Sequence, residues 1–317
     1  MTEQLRPDGS LRHLLTLETL TRSQIEDLLE RSQSFVRPLG EPPPRGTALD
    51  GMTVANLFTE PSTRTRVSFE LAARRLGATA VNLEVQLSSR VKGESMLDTV
   101  YTLQSLHVDA LVIRDAEPGV PGLVAAHVAP HVSVLSGGEA HVSHPTQGLL
   151  DALTVYQRKQ RFAGLAVAVV GDIRHSRVAR SAWHAFAKLG VSDVRLAAPQ
   201  ALMPEREEFA GCSRHTQLET ALTGADVVMM LRIQKERMGA AALPEGEQYF
   251  AAWGLTRERL ALARHDAIVM HPQPMNRGIE IASDVADGPQ SVIRDQVRNG
   301  VAVRMAVLAE VLGARTS

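Results

Sequence analysis

The sequence contains very little cysteine and has no excess of charge of either sign. Cys212 is the single cysteine among 317 residues, so neither an intramolecular disulfide nor a cysteine-rich zinc site can form. Scarce cysteine is typical of proteins from a reducing compartment. The 34 basic and 35 acidic residues give a formal net charge of -1, without the basic excess that nucleic-acid binding requires. We therefore expect a cytoplasmic protein with no nucleic-acid partner.

Long apolar runs and the common nucleotide-binding glycine patterns are also missing. No apolar run approaches the roughly 20 residues that a helix needs to cross a bilayer. The initial stretch "MTEQLRPDGSLRHLL" lacks the apolar core of a secretory signal. Neither G-x-G-x-x-G nor G-x-x-x-x-G-K-[ST] occurs. We therefore expect no membrane association, and any bound anion should not be a nucleotide held in such a loop.

What the sequence does contain is abundant apolar material in short runs. Hydrophobic residues make up 44% of the chain, and its length suits two domains of about 100–200 residues each. Short runs rich in Val, Ala and Leu, separated by helical patterns, are typical of buried parallel strands. The predicted strands are 53–58, 79–84, 110–114, 132–136, 166–172, 193–199, 225–231 and 266–271. The alternation predicts an α/β fold with two doubly wound domains, each with a parallel sheet, linked by helices.

The predicted helices suggest where the two domains meet in the sequence. A helical pattern at 145–159 lies between two groups of four predicted strands, and an amphipathic segment follows the last strand at 289–312. We place the first domain at 1–148 and the second at 149–295. The terminal helix, 296–317, is expected to pack back on the first domain.

The most unusual polar stretch is "EPSTRTRVSFE", residues 60–70. It places three hydroxyls and two arginines in five consecutive positions, Ser62 to Arg66, between a predicted strand and a predicted helix. A helix start directs backbone N–H groups and the positive end of the helix dipole toward an anion. An ordinary helix cap at Ser62 with solvated arginines is the alternative. The interleaved arginines and hydroxyls favour an anion site.

Further polar motifs follow other predicted strands. Carboxyl ends of parallel strands form the edge at which doubly wound sheets bind ligands. The motifs are "HPTQ" at 144–147, "GDIRHSR" at 171–177, "RIQKER" at 232–237 and "HPQPMNRGIEI" at 271–281. His141 and His144 lack a third ligand at an obvious spacing, so we expect no metal site.

Together with "STRTR" at 62–66, these motifs resemble the catalytic chains of the aspartate carbamoyltransferases, in the aspartate/ornithine carbamoyltransferase superfamily. The resemblance implies transfer of the carbamoyl group of carbamoyl phosphate to the amine of L-aspartate. The products are N-carbamoyl-L-aspartate and phosphate, in the second step of de novo pyrimidine biosynthesis. It further implies a carbamoyl phosphate domain followed by an aspartate domain, a homotrimer with shared active sites, and no cofactor.

The resemblance also assigns roles to positions in the predicted first domain. The carbamoyl phosphate site comprises Ser62, Thr63, Arg64, Thr65, Arg114, His144 and Gln147. Four of these, Arg64, Thr65, Arg114 and His144, would be catalytic because they surround the phosphate and the reacting carbonyl. Ser88 and Lys92 match a loop that enters the active site of the neighbouring subunit.

The remaining assignments concern aspartate and domain closure. The aspartate site comprises Lys92, Arg177, Arg232, Gln234, and the backbone of Gln273 and Pro274. Contacts formed on closure would involve Glu60, Arg177 and Arg237. Two positions depart from the family pattern: Gln273 is an unusual residue between the prolines, and Val91 replaces a lysine of some relatives.

Several alternatives remain open at this point. An ornithine or related transcarbamoylase shares the phosphate turn, although its family pattern has a Cys motif where this chain has "HPQP". A non-catalytic assembly subunit is a second alternative, and a dinucleotide-dependent oxidoreductase is a third that rests on fold analogy alone. The N-terminal segment resembles the extension of bacterial forms that assemble with a dihydroorotase-like subunit. Such a subunit, or a regulatory subunit, is the further partner that the family resemblance leaves open.

Overall fold

The structure is a computed structural model that describes residues 4–84, 95–234 and 246–313. It divides into two compact units. The first comprises Met1–Leu150 and Arg298–Ser317, and the second comprises Asp151–Val297.

The first unit is built on a sheet of four parallel strands. They are β1 (Thr53–Phe58), β2 (Thr79–Glu84), β3 (Ala110–Asp115) and β4 (Ser133–Glu139), in the order β2-β1-β3-β4. Its helices are α1 (Arg22–Phe35), α2 (Thr63–Arg75), α3 (Met96–Ser105) and α4 (Val120–His127). Helix α5 (Pro145–Lys159) then leads the chain into the second unit.

The second unit contains a sheet of five parallel strands. They are β5 (Ala166–Val170), β6 (Asp193–Ala197), β7 (Ser213–His215), β8 (Val227–Met230) and β9 (Ile268–Met270), in the order β7-β6-β5-β8-β9. The helices described in this unit are α6 (Arg177–Leu189), α7 (Leu218–Leu222), α8 (Gly246–Trp253), α9 (Arg257–Leu260) and α10 (Ser283–Ala286), with 3₁₀ turns at Gln200–Leu202 and Arg206–Phe209. Helix α11 (Ile293–Gly313) returns the chain to the first unit.

The two strand orders confirm the predicted α/β class with two parallel sheets. In each sheet the order reverses once, between β1 and β3 in the first unit and between β5 and β8 in the second. All five residues of β5 are buried, as expected for a parallel strand in the middle of a sheet. Within the described parts of the chain, no helix combines the length and apolar character needed to cross a membrane.

Helix α2 illustrates why the sequence folds this way locally. Phe69, Ala72, Ala73 and Leu76 recur at helical spacing and are all buried. The helix ends at Arg75, and Gly77 follows with φ +93°, where a Cβ would lie 2.0 Å from the side chain of Asp50. The apolar stripe thus fixes the face of α2 that packs on the sheet, and the glycine allows the chain to turn directly into β2.

A buried histidine links the N-terminal segment to the first sheet. His13 is fully buried, and its Nδ1 accepts a hydrogen bond from the backbone N–H of Val134 at 2.9 Å. Burial, together with the charges of Arg12 and Arg6, lowers the pKa of His13 to about 3. The folded chain therefore requires the neutral imidazole with an unprotonated Nδ1.

This histidine should make the folding stability dependent on pH. Because its pKa is about 3 in the folded chain and about 6.5 when unfolded, its contribution is complete above about pH 6.5 and declines as the pH falls toward 3. We expect wild-type protein to lose about 2 kcal/mol between pH 7 and pH 5 relative to His13→Asn, whose amide oxygen can accept from Val134. Denaturant unfolding of both proteins at the two pH values measures this loss, and parallel pH dependences would contradict it.

Candidate active site

The turn after β1 forms the start of helix α2. Ser62 occupies the N-cap position, and the N–H of Arg66 donates to its carbonyl at 3.1 Å in the first helical bond. Within the described part of the chain, the Ser62 side chain makes no capping hydrogen bond. Thr63 and Arg64 are exposed, whereas Thr65 is buried. The turn therefore has the geometry of a helix start without a side-chain cap, which suits an anion.

Arg114 lies beside this turn at the end of β3. It is in register with Phe58, the last residue of the neighbouring strand β1. Its Nη1 donates to the carbonyl of Gly137 at 3.2 Å, and its Nη2 lies 3.6 Å from Oε2 of Glu60. The side chains of Arg114 and Glu60 are only 12% and 18% exposed. Arg114 is thus held at two points next to the start of α2.

A register shift in the sheet provides the first of these two contacts. Ile113 pairs with Ser136, but Arg114 pairs with Gly138, so Gly137 is skipped in the ladder between β3 and β4. Its carbonyl accepts from the Arg114 guanidinium instead. A Cβ at position 137 would lie 3.3 Å from the Val112 side chain, so a residue without a side chain suits this close approach.

His144 and Gln147 follow β4, the next strand of the same sheet. Both side chains are buried. The carbonyl of His144 accepts from the N–H of Gln147 at 2.9 Å and from that of Gly148 at 3.2 Å, which begins helix α5. The first unit therefore brings Glu60, the turn from Ser62 to Thr65, Arg114, His144 and Gln147 to one sheet edge. The turn and Arg114 flank the point where the strand order reverses, the usual ligand position in such sheets.

The loop after β5 carries the corresponding residues of the second unit. Gly171 has φ +119°, and a Cβ there would lie 2.9 Å from the carbonyl oxygen of Leu231. This close approach brings the loop against the segment that follows β8. Arg177 begins helix α6 and is buried, although a cation at a helix N-terminus opposes the helix dipole. That unfavourable position is consistent with an anion-binding role.

Asp172, in the same loop, holds its neighbours in place. It is fully buried, and its Oδ1 accepts from the backbone N–H of His175 at 3.2 Å and contacts the ring Nδ1 at 2.8 Å. Its Oδ2 accepts from the backbone N–H of Gln234 at 3.3 Å. The side-chain amide of Gln234 donates in turn to the carbonyl of His175 at 3.1 Å. The segment containing Arg232 and Gln234 is therefore fastened to the loop after β5.

The turn after β9 is held at both ends by buried polar groups. At its start, the N–H of Gln273 donates to Nδ1 of His271 at 2.9 Å, and Gln273 has φ +57° before a cis bond to Pro274. At its end, the N–H of Asn276 donates to Oε2 of Glu280 at 2.6 Å. The candidate positions of the second unit thus follow β5, β8 and β9, three neighbouring strands of one sheet.

Three of the positions assigned from the sequence, Ser88, Lys92 and Arg237, lie outside the described residues. Conversely, the structure adds residues to which the sequence assigned no role: Asp172, His175, His271 and Glu280. All four lie inside quoted motifs, so the motifs indicated their neighbourhood but not their function. Burial raises the pKa of Glu280, while N–H donors from Ile233 and Asn276 oppose that rise.

In chemical terms, each unit presents cations and fixed hydrogen-bond donors at the carboxyl edge of its sheet. The first unit offers hydroxyls, a helix start, Arg114 and His144. The second offers Arg177, Arg232 and the Gln234 amide. Such groups can bind phosphate and carboxylate anions and can polarise a carbonyl oxygen.

Family models match both units. The model of the aspartate/ornithine carbamoyltransferase carbamoyl-P binding domain matches residues 12–157, and that of the Asp/Orn binding domain matches residues 163–311.

Solved structures of the family are also similar over nearly the whole chain. Aspartate transcarbamoylase from Trypanosoma cruzi, in complex with carbamoyl aspartate and phosphate, is 32% identical with a TM-score of 0.85, over 95% of this chain and 96% of that one. Ornithine carbamoyltransferase from Pyrococcus furiosus is 33% identical with a TM-score of 0.83, over 95% and 97%. The Thermus thermophilus ornithine enzyme is 26% identical with a TM-score of 0.84, over 95% and 99%. Both domain matches and this similarity agree with the five motifs: the chain is an enzyme of the aspartate/ornithine carbamoyltransferase family.

Proposed function

We propose that this carbamoyltransferase uses L-aspartate as its acceptor and forms N-carbamoyl-L-aspartate and phosphate. This proposal rests on the positively charged side chains at the sheet edge of the second unit. Arg177 and Arg232 lie after neighbouring strands there, and planar guanidinium groups suit the two carboxylates of aspartate. Lys92, which lies outside the described residues, is proposed as a third cation for the same substrate.

The acids at this edge also favour aspartate over ornithine. An ornithine site needs acidic or neutral partners for the side-chain ammonium group of its substrate. The buried carboxylates here, Asp172 and Glu280, accept hydrogen bonds from protein N–H groups. Binding an ammonium group would compete with these bonds and would place a second cation near Arg232. In the described part of this edge, Asp172 and Glu280 are thus engaged by protein N–H groups, which supports an anionic rather than a cationic substrate.

For carbamoyl phosphate, the proposed site is the turn from Ser62 to Thr65 with Arg114, His144 and Gln147. The phosphate dianion would lie at the uncapped start of α2, where Arg64 and the hydroxyls add donors. Thr65, Arg114 and His144 would donate to the carbonyl oxygen, and Gln147 would bind the carbamoyl amide. Arg114 is already oriented by the carbonyl of Gly137, so little reorganisation is needed as charge develops on the oxygen.

The proposed reaction is a nucleophilic acyl transfer. The neutral amine of aspartate, held by the backbone carbonyls around Gln273 and Pro274, attacks the carbonyl carbon and forms a C–N bond. The resulting oxyanion collapses, the C–O bond to phosphate breaks, and the departing phosphate accepts the proton of the amine. These reaction steps need neither an electron acceptor nor a Lewis acid, so we propose no cofactor or metal. Holding two reactants in position can contribute about 7–11 kcal/mol.

The assembly and cellular role are part of the same proposal. We propose a cytoplasmic homotrimer that acts in pyrimidine biosynthesis, with Ser88 and Lys92 of one subunit completing the site of the next. A dihydroorotase-like or regulatory subunit is the proposed further partner. Glu60, Arg177 and Arg237 are proposed to form contacts on closure. To take part, Glu60 would have to leave its contact with Arg114.

A parallel assay with two acceptors tests the proposed function. Purified protein is given carbamoyl phosphate with either aspartate or ornithine, and the carbamoylated product is quantified. We expect kcat/KM for aspartate to exceed that for ornithine by about 10⁴-fold, as for a site built around specific polar contacts. Turnover with ornithine alone would contradict the proposed substrate. Absence of turnover with either acceptor would favour the non-catalytic assembly subunit.

A further inference from the structure

Glu280 is an acidic residue that is fully buried in the second unit. Its Oε1 accepts from the backbone N–H of Ile233 at 2.9 Å and from the side-chain amide of Asn276 at 2.7 Å. Its Oε2 accepts from the backbone N–H of Asn276 at 2.6 Å. A buried carboxylate is costly unless hydrogen bonds compensate for its lost hydration. Three N–H donors offset part of that cost here.

These hydrogen bonds join the two segments proposed to bind the amino-acid substrate. Ile233 stands between Arg232 and Gln234 after β8, and Asn276 closes the turn that contains Gln273 and Pro274 after β9. Each segment has a second anchor of its own: Asp172 for Gln234, and His271 for Gln273. Among these anchors, Glu280 is the one that bonds to both segments.

We propose that Glu280 is a positioning residue for the amino-acid substrate. It sets the separation between the Arg232 and Gln234 groups, which bind carboxylate, and the carbonyls near Gln273, which receive the amine. The inference rests on the proposed amino-acid site, and it holds for either aspartate or ornithine. Glu280 acts through the backbone, without touching the substrate.

A change of Glu280→Gln keeps the size of this side chain but removes one acceptor. In either orientation of the new amide, its NH₂ group faces an N–H donor of Ile233 or Asn276, so one segment must move away. Displacement of a positioning group by about 1 Å lowers the reaction rate on the order of 10²-fold. Since the displaced groups here are those proposed to bind the amino acid, we expect the loss to appear as a rise of about 10–100-fold in its KM. KM for carbamoyl phosphate should stay unchanged, since the first unit holds that site.

The experiment measures both KM values of the full-length enzyme, with thermal unfolding to verify that each variant is folded. Glu219→Gln is the matched control, because Glu219 is an exposed acid of the same unit that pairs with Arg259. It should leave both KM values unchanged. Asn276→Ala removes the side-chain donor to Glu280 but retains the backbone hydrogen bond. It should therefore raise KM for the amino acid by a smaller factor and again leave KM for carbamoyl phosphate unchanged. Asn276→Ala decides the question if Glu280→Gln does not fold.

The outcomes separate this inference from the function on which it rests. Wild-type protein that carbamoylates neither amino acid would overturn the proposed function, and the inference would fall with it. With an active wild type, a selective rise in the amino-acid KM supports the positioning role. Unchanged KM values, or an equal rise for both substrates, would overturn the inference alone and leave Glu280 a structural residue.

Discussion

Replacing Arg64 by alanine should lower kcat about 10²–10³-fold, the usual loss when one transition-state donor is removed. Arg64 is exposed at the start of α2, the proposed position of the phosphate leaving group. Negative charge on the phosphate increases as the C–O bond breaks, so a guanidinium group there acts most strongly in the transition state. Steady-state rates with saturating carbamoyl phosphate and aspartate measure this effect.

Arg74→Ala is the matched control on the same helix. Its guanidinium pairs with Glu70 at 2.9 Å and is 63% exposed, so its removal should leave kcat unchanged. Arg114→Ala should lower kcat by a similar factor to Arg64→Ala, but Arg114 also contacts Glu60 and Gly137. Arg64 therefore gives the cleaner test. A folded Arg64→Ala enzyme with wild-type turnover would refute the assignment of the phosphate turn.

Much of the fold can be predicted from the sequence because its strands are apolar and buried. Each predicted strand overlaps an observed one, and the helix predicted at 145–159 coincides with α5. The additional strand β7 was missed. It comprises only Ser213, Arg214 and His215, and it lies at the edge of its sheet. Three polar residues carry no apolar signal, so only their pairing with β6 identifies them as a strand.

The candidate site could be predicted where its residues act through their own side chains. Arg64, Arg177 and Arg232 are conspicuous in the sequence because each follows a buried strand, at the sheet edge where ligands bind in this architecture. The positions of Asp172 and Glu280 are less informative. Each accepts a hydrogen bond from the backbone N–H of a residue far away in the sequence, Gln234 for Asp172 and Ile233 for Glu280. A sequence reveals which residue is acidic, but not which N–H group it will meet after folding.

The contact that Glu60 makes in the structure could not be predicted from the sequence either. The sequence assigned it to contacts formed on closure, with Arg177 and Arg237. The structure places its carboxylate 3.6 Å from Arg114, within the first unit. That contact depends on β1 and β3 being neighbours in the sheet, which their order along the chain does not reveal. The role in closure stays a prediction.

Subunit mixing should restore activity to two inactive variants if the active sites are shared. In a trimer in which Lys92 enters the neighbouring site, Lys92→Ala and Arg64→Ala affect different subunits of the same site. A mixed trimer then contains one site with both native residues. Random exchange of equal amounts should therefore recover about one quarter of wild-type activity.

The control for this experiment is a mixture of Arg64→Ala with Arg114→Ala. Both residues belong to the first unit of one subunit, so mixed trimers of these variants contain no native site and should stay inactive. Native mass spectrometry or tagged subunits can verify that exchange has occurred. Recovery with the first pair alone would place Lys92 across the subunit boundary. Equal inactivity of both mixtures after verified exchange would mean that each subunit builds its site from its own residues, and Lys92 would then need another role.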